Sequence, residues 1–268
     1  MNLLPASRLM ALLLPAALLP AAAQAQGFAA YISPPRFEVQ ADAGKPLRQV
    51  LEIQHVGQQK GNYRVYTADW TFNADNAVSF STELAPDSCR PWVALERREL
   101  SIEPGARYRF RFEISPPAGT PPRECRFALM VEGLDPAKVQ GNISFPVGGR
   151  IGVIVYAAIG GAAPQLSIST QQVVQVNGKP TATIDVRNTG NAHGRLEGFV
   201  NGTDAAGTQF EMSPADLPIL PGETRRIALT PVAENGQAVP DIRFPLQVKG
   251  SLEWGANRLP LDASFVAP

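Results

Sequence analysis

Lys138-Val-Gln-Gly-Asn-Ile-Ser-Phe-Pro-Val-Gly-Gly-Arg-Ile-Gly-Val-Ile-Val-Tyr156 is the most informative segment of the chain. Ile143, Phe145 and Val147 alternate with other residues, so an extended chain sets all three large apolar groups on one side. The alternation predicts a strand over Ile143–Tyr156, and no neighbouring positions carry the period of a covering helix. Just before it, Glu124-Cys-Arg-Phe-Ala-Leu-Met-Val-Glu-Gly-Leu-Asp-Pro136 predicts a second strand that runs up to a short connection. An apolar row of this kind either fills the chain's own core as an ordinary last strand or is lent to a partner as an added one.

The rest of the first half is written in the same grammar. Strand-like segments are predicted at Ala30–Val39, Arg48–His55, Gly61–Trp70, Trp92–Leu95, Tyr108–Ile114 and Cys125–Val131, separated by turn residues such as Ala43-Gly44, Pro104-Gly105 and Pro116-Pro117. Seven strands in about 130 residues are what an immunoglobulin-like sandwich requires. Gly160-Gly-Ala-Ala-Pro164 reads as a linker, and the second half then echoes the first. Leu217-Pro-Ile-Leu-Pro-Gly-Glu-Thr-Arg matches Leu100-Ser-Ile-Glu-Pro-Gly-Ala-Arg, and Ile184-Asp-Val-Arg-Asn-Thr-Gly matches Leu51-Glu-Ile-Gln-His-Val-Gly. The expected fold is therefore all-β, two immunoglobulin-like β-sandwich domains in tandem, residues 26–160 and 164–268.

Residues 1–25 differ in kind. Arg8, an apolar run from Leu9 to Pro20 and the end Ala23-Gln24-Ala25 form the three-part pattern of a secretory signal peptide. The run is too short, and too broken by Pro15 and Pro20, for a transmembrane span. The expected destination is a Gram-negative periplasm, with no membrane insertion. The chain's 24 Lys and Arg balance 24 Asp and Glu, and removal of Arg8 leaves one net negative charge. That balance provides no electrostatic pull toward nucleic acid or an anionic membrane. Cys89 and Cys125 are the only cysteines. In an oxidising compartment such a pair reads as a disulfide, the alternative being two buried thiols.

No catalytic or metal-ligating constellation is visible. His55 and His193 each stand next to a glycine turn and read as structural, with no metal or cofactor expected. Arg107-Tyr-Arg-Phe-Arg-Phe-Glu113 interleaves cations with aromatics. Period-two alternation accounts for it, with Tyr108, Phe110 and Phe112 inward and the arginines in water. The carboxylates Glu124, Glu132 and Asp135 are close in sequence but read as solvated or ion-paired, so an enzyme is not expected.

The chain resembles the periplasmic pilus-assembly chaperones, the PapD-like family of the chaperone-usher pathway. Tyr31-Ile-Ser-Pro-Pro-Arg36 resembles the family's opening strand, and Pro91-Trp92-Val-Ala-Leu leading to Ile102-Glu-Pro-Gly105 its run into a proline-glycine turn. Glu124-x-x-Phe127-x-Leu129 through Leu134-Asp-Pro136 resembles the signature strand, and Asn188-Thr-Gly-Asn-Ala-His193 the start of the carboxy-terminal domain. The resemblance implies a protein that binds pilus or fimbrial subunits by donor-strand complementation and delivers them to an outer-membrane usher. Ile143, Phe145 and Val147 would fill the subunit's groove, while Arg36 and a second cation would hold its terminal carboxylate.

Departures mark a divergent or archaic-type member. Gly152 stands where the usual lysine would be, with Arg150 two residues earlier on the same face as the candidate substitute. Pro146 removes one backbone donor from the proposed donor strand, which an edge strand tolerates. Val155-Tyr156-Ala157 replaces the family's Tyr-Arg-Pro. Self-association of the free protein is a further expectation, because an unpaired apolar edge invites pairing. The competing reading is an exported two-domain adhesion or interaction protein that binds through its loops.

Overall fold

The computed structural model describes residues 28–73, 76–134, 149–233 and 241–267. Among the described residues all regular structure is strand, apart from one 3-10 turn at Arg90–Trp92. The chain has the expected all-β class, with two sandwiches, each closed over its own apolar core.

Ten strands build the first sandwich: β1 Ala30–Ser33, β2 Arg36–Ala41, β3 Leu47–His55, β4 Gly61–Phe72, β5 Val78–Ser81, β6 Val93–Leu95, β7 Glu99–Ile102, β8 Arg107–Ile114, β9 Arg123–Gly133 and β10 Arg150–Ile159. One sheet has the order β1-β3-β8-β6; the other runs β2-β10-β9-β4-β5, with β7 also paired to β4. Alternation places the core between them. Leu51, Ile53, Phe110 and Ile114 from one sheet meet Val65, Phe127, Leu129, Val131, Val153 and Val155 from the other, all buried. Phe112 bridges the layers edge-to-face, 5.2 Å from Phe37 and 6.3 Å from Phe127 between ring centroids. The arginines of β8 face solvent, as the alternation requires. Cys89 and Cys125 form a disulfide, Cα to Cα 5.7 Å, which ties the segment before β6 to β9.

Three features of the first sandwich differ from expectation. The single strand expected over Ala30–Val39 is two: β1 pairs antiparallel with β3, and β2 crosses to the other sheet to run parallel to β10. Pro34 and Pro35 between them have no N–H, so the ladder stops and the chain changes layers there. Second, β5 and β7 were not anticipated; each has four residues, too few for alternation to stand out from the adjoining turns. Third, the strand expected over Ile143–Tyr156 begins, among the described residues, at Arg150 and runs on to Ile159. Ile143, Phe145 and Val147 lie outside the described residues.

The second sandwich comprises β11 Leu166–Val176, β12 Lys179–Asn188, β13 Val200–Thr203, β14 Gln209–Pro214, β15 Thr224–Pro231, β16 Leu246–Trp254 and β17 Asn257–Phe265. Their order is β11-β12-β15-β14-β13-β16-β17. Residues 224–228 of β15 pair with β12 and residues 229–231 with β14, so the sheet folds over itself at this strand. Its two halves enclose Ile184, Val186 and Ile227 against Met212, Val248 and Leu261. The echoed turns have the same backbone: Gly105 before β8 and Gly222 before β15 have φ of 71° and 75°, a region that only glycine enters freely.

At the junction Gly160 and Gly161, φ 62° and 80°, turn the chain out of β10. The Glu124 N–H then donates to the Asn191 carbonyl at 3.0 Å, and Asn191 Nδ2 donates to the Pro122 carbonyl at 2.9 Å. From the far side Arg225 of β15, 4% exposed in its side chain, lies 4.0 Å over the Phe72 ring and donates to Asn76 Oδ1 at 2.8 Å.

Candidate functional site: an inter-domain cleft beside an open strand edge

Register decides which side chains of the first sandwich face the second. Arg36, Glu38 and Gln40 of β2 lie opposite Ile154, Tyr156 and Ala158 of β10, and Tyr156 and Ala158 lie opposite Arg126 and Glu124 of β9. Directly paired residues project to the same face, so these form one surface with the core-facing set behind it. The loop after β12 brings His193 and Arg195 against that surface, and the segment between β14 and β15 brings Asp216. Between the domains is a cleft of about 430 Å³ lined by, among others, Glu38, Glu124, Tyr156, His193, Arg195 and Trp254.

Two linked clusters of charge occupy it. Glu124, 2% exposed, accepts from the backbone N–H of His193 at 2.9 Å and from its Nδ1 at 2.5 Å. The other ring nitrogen, Nε2, faces Glu38 at 3.6 Å, an ion-pair distance longer than a hydrogen bond. The ring itself is stacked on Tyr156, centroids 3.7 Å apart. With Glu124 bonded to one nitrogen and the Glu38 carboxylate facing the other, the site favours the charged imidazolium over the neutral ring. Burial pulls the His193 pKa down, but Glu124 and Glu38 outweigh it and hold it above the usual histidine value. Glu38 is held down at about 2, chiefly by His193 against the effect of burial, with Arg36 and Arg195 adding to it.

The second cluster joins Arg36 to Arg195. Arg36 Nε lies 2.7 Å from Glu38, and its Nη1 donates to Asp216 Oδ2 at 3.2 Å. Arg195 Nη1 donates to Asp216 Oδ1 at 2.7 Å, and its Nε lies 3.3 Å from Glu38. One carboxylate, Asp216, thus bridges a guanidinium from each domain. Burial raises the Asp216 pKa, but the two arginines lower it by more.

The strand edge is the other element of the site. β9 pairs with β10 along Arg150–Ile159, but β2 pairs only with Ile154–Ile159. Among the described residues, the side of Arg150–Val153 away from β9 has no strand partner. Alternate residues point their backbone groups outward, so this segment offers about two N–H and two C=O groups.

Of the residues singled out from sequence, Arg36 lies at the contact between the domains, bonded to Asp216. Arg150 shares its face but lies four residues before Ile154, the partner of Arg36, or about 13 Å along the strand at roughly 3.3 Å per residue. Arg150 stands opposite Glu132, and the structure does not bring it to Arg36. Gly152, between them, is covered: a Cβ there would be 2.4 Å from Phe80 Cζ and 3.0 Å from Met130 Sδ. His55 is buried between Tyr63 Oη at 2.5 Å and the Gln59 carbonyl at 2.6 Å. Sequence reading does not single out Glu38, Arg195 or Asp216; it gives His193 a structural role, and the structure adds that its partner is Glu124 of the first sandwich. The one available signal was Glu38, two residues from Arg36 and so on its face. Among the described residues no group of three or more His, Cys, Asp or Glu is placed to hold a metal ion, and no helix is long and apolar enough to cross a membrane.

No family model matches the chain, and no curated protein matches it. The chain is similar to solved pilus chaperones. They include the class 5 fimbriae chaperone CfaA, 12% identical over 89% of this chain and 100% of that chain, TM-score 0.48. The E. coli chaperone DraB is 11% identical over 89% and 100%, TM-score 0.46. The CsuC–CsuE chaperone-tip adhesion subunit complex from archaic chaperone-usher Csu pili of Acinetobacter baumannii gives 14% identity over 88% and 97%, TM-score 0.45.

Proposed function

We propose that the protein is a periplasmic chaperone for pilus or fimbrial subunits, which it holds by adding a strand to their incomplete sandwich and passes to an outer-membrane usher. The observation that carries this reading is the edge of β10 over Arg150–Val153, which has no strand partner among the described residues. In sequence this edge follows Ile143, Phe145 and Val147, and it leads to Ile154, which pairs with Arg36. A subunit strand laid against that edge gains main-chain hydrogen bonds, while the three apolar side chains enter its groove. Their burial contributes about 1.5–3 kcal/mol each. The three together are of the same order as the roughly 4–15 kcal/mol cost of association. The grip therefore depends on the ladder and on a terminal anchor, which suits a partner that must be released. Arg36, with 40% of its side chain exposed, is the anchor for the subunit's carboxylate, and Arg150 lies along the path of the added strand.

The test is capture from periplasm by the mature protein, beside a variant with Ile143, Phe145 and Val147 changed to Ser. Native mass spectrometry is expected to show a small β-rich secreted protein held one-to-one by the natural chain and lost from the variant. Retention of the same partners by both forms would refute strand donation and put the loop-binding adhesion protein in its place.

A further inference from the structure

We infer that Arg195, from the second domain, is the partner of Arg36 in holding a terminal carboxylate, and that Asp216 occupies this place in the free protein as a displaceable internal carboxylate. The inference rests on the chaperone reading and adds to it a residue and a control that the sequence did not reveal.

Three observations carry it. The strand itself cannot supply the second cation near Arg36: the position two residues before Ile154 is Gly152, and Phe80 and Met130 fill the space a side chain would need. The cation beside Arg36 comes instead from Arg195, whose side chain is 11% exposed, stacks at 6.0 Å over Tyr156 and is bounded by Glu38. Such packing fixes the guanidinium before any ligand arrives, which reduces the ordering cost of binding. Finally, the site already accepts a carboxylate. The two oxygens of Asp216 take one N–H from each arginine, at 3.2 and 2.7 Å, the arrangement that an incoming C-terminal carboxylate would reproduce.

Asp216 differs from Glu38 in that its side chain is free to swing away while Arg195 Nη1 keeps its bond to the Asp216 backbone carbonyl at 3.1 Å. Its side chain is 64% exposed, and it lies between strands, in the segment joining β14 to β15. Glu38 is also bonded to Arg36 but faces His193 as well and lies within β2, so its backbone is fixed by the ladder to β10. An arriving carboxylate thus exchanges with Asp216 and leaves Glu38 in place. Because one arginine belongs to each domain, the exchange needs the cleft in its present closure.

The test uses the mature protein, Asp216→Asn, Arg195→Gln and the double variant. They are titrated with an acetylated peptide of alternating threonine and valine, made once as the free acid and once as the C-terminal amide. Arginine Nε–Hε signals in NMR report on the two guanidiniums. Asp216→Asn is expected to tighten binding of the free acid about threefold to tenfold, within what losing two competing ion pairs to a mostly exposed carboxylate gives, and to leave the amide unchanged. Arg195→Gln removes that gain, and the free acid shifts the Arg195 signal in the natural protein. Equal tightening of both peptides, no tightening, or a gain that survives Arg195→Gln overturns the inference. If acid and amide bind alike, and binding is lost with the Ile143, Phe145 and Val147 substitutions, the inference falls while strand donation stands.

Discussion

Replacing His193 with Ala tests whether the buried Glu124–His193 pair holds the two domains together. Glu124 is 2% exposed and His193 9%. The substitution removes the Nδ1 partner at 2.5 Å and the ring stacked on Tyr156, and leaves the carboxylate with the backbone N–H of residue 193 and with Arg126, whose Nε is 3.7 Å from the other oxygen. Removing one partner of a buried ion pair costs about 3–5 kcal/mol. The retained N–H and the distant arginine put the expected loss near the lower end, about 3 kcal/mol. Glu124→Gln with His193→Ala should cost less than the two single changes added together, because each alone already breaks the pair. The assay is urea unfolding followed by tryptophan fluorescence, with Trp92 reporting the first sandwich and Trp254 the second. In the variant the two transitions should separate, since the coupling between sandwiches is what has been lost.

The same variant has a pH signature. The folded-state pKa of His193 is raised, so its contribution is fully present below the unfolded value near 6.5 and is lost as pH rises through the folded value. The natural protein should therefore lose interface stability as pH rises from the unfolded value through the raised folded one, and His193→Ala should be flat over that range. A cost under about 1 kcal/mol at pH 6, or an unchanged alkaline slope, would refute the assignment of the interface to this pair.

Other changes give further expected outcomes. Glu38, held at about 2, contributes stability that is present above its unfolded value and lost as pH falls toward 2. An acid unfolding curve of Glu38→Gln should accordingly be shallower than that of the natural protein. Gly152→Ala forces a methyl group against Phe80 and should cost about 1–3 kcal/mol in thermal or chemical melts, with most of the overpacking relieved by adding Phe80→Ala. Reducing the Cys89–Cys125 bridge, which spans 36 positions, should cost about 4 kcal/mol, measured as the shift in urea midpoint with dithiothreitol. Arg225→Ala removes the stack on Phe72 and the bond to Asn76 and leaves Glu223 without its arginine. It should cost about 3 kcal/mol and raise hydrogen exchange in β5 ahead of the cores.

The sandwiches were legible because their core is written with period two. β3, β8 and β9 can be read straight from Leu51-x-Ile53, Phe110-x-Phe112 and Phe127-x-Leu129-x-Val131, and all of these are buried. Repetition of the proline-glycine turn before β8 and β15 carried the second domain. What the alternation does not encode is a change of layer within one apolar run, so the split between β1 and β2 had to come from Pro34 and Pro35. The cleft was harder to read for a different reason. Arg36 and Asp216 are 180 positions apart, and their contact depends on how two finished domains meet. Glu124 and His193, 69 positions apart, were both quoted as landmarks from the sequence, yet nothing in either segment alone says that they touch.

The covering of Gly152 by Phe80 has a consequence for how such a cleft works. When both cations of a carboxylate anchor stand on strands of one domain, the anchor has the same geometry at any angle between the domains. Here the two guanidiniums that share Asp216 come from β2 of the first sandwich and the loop after β12 of the second, so the distance between them depends on the closure of the cleft. That closure is held by Glu124 with His193 near the anchor and by Arg225 on Phe72 at the far side. Loosening either clamp should weaken recognition of a free carboxylate even though neither clamp touches it. Arg225→Ala is the cleaner case, since it leaves every residue of the anchor unchanged. In the peptide titration it should reduce the preference for the free acid over the amide while leaving amide binding at the β10 edge as it was. A preference that persists with the far clamp removed would mean that Arg36 and Arg195 keep their separation without it, and that the Glu124–His193 pair alone sets the closure.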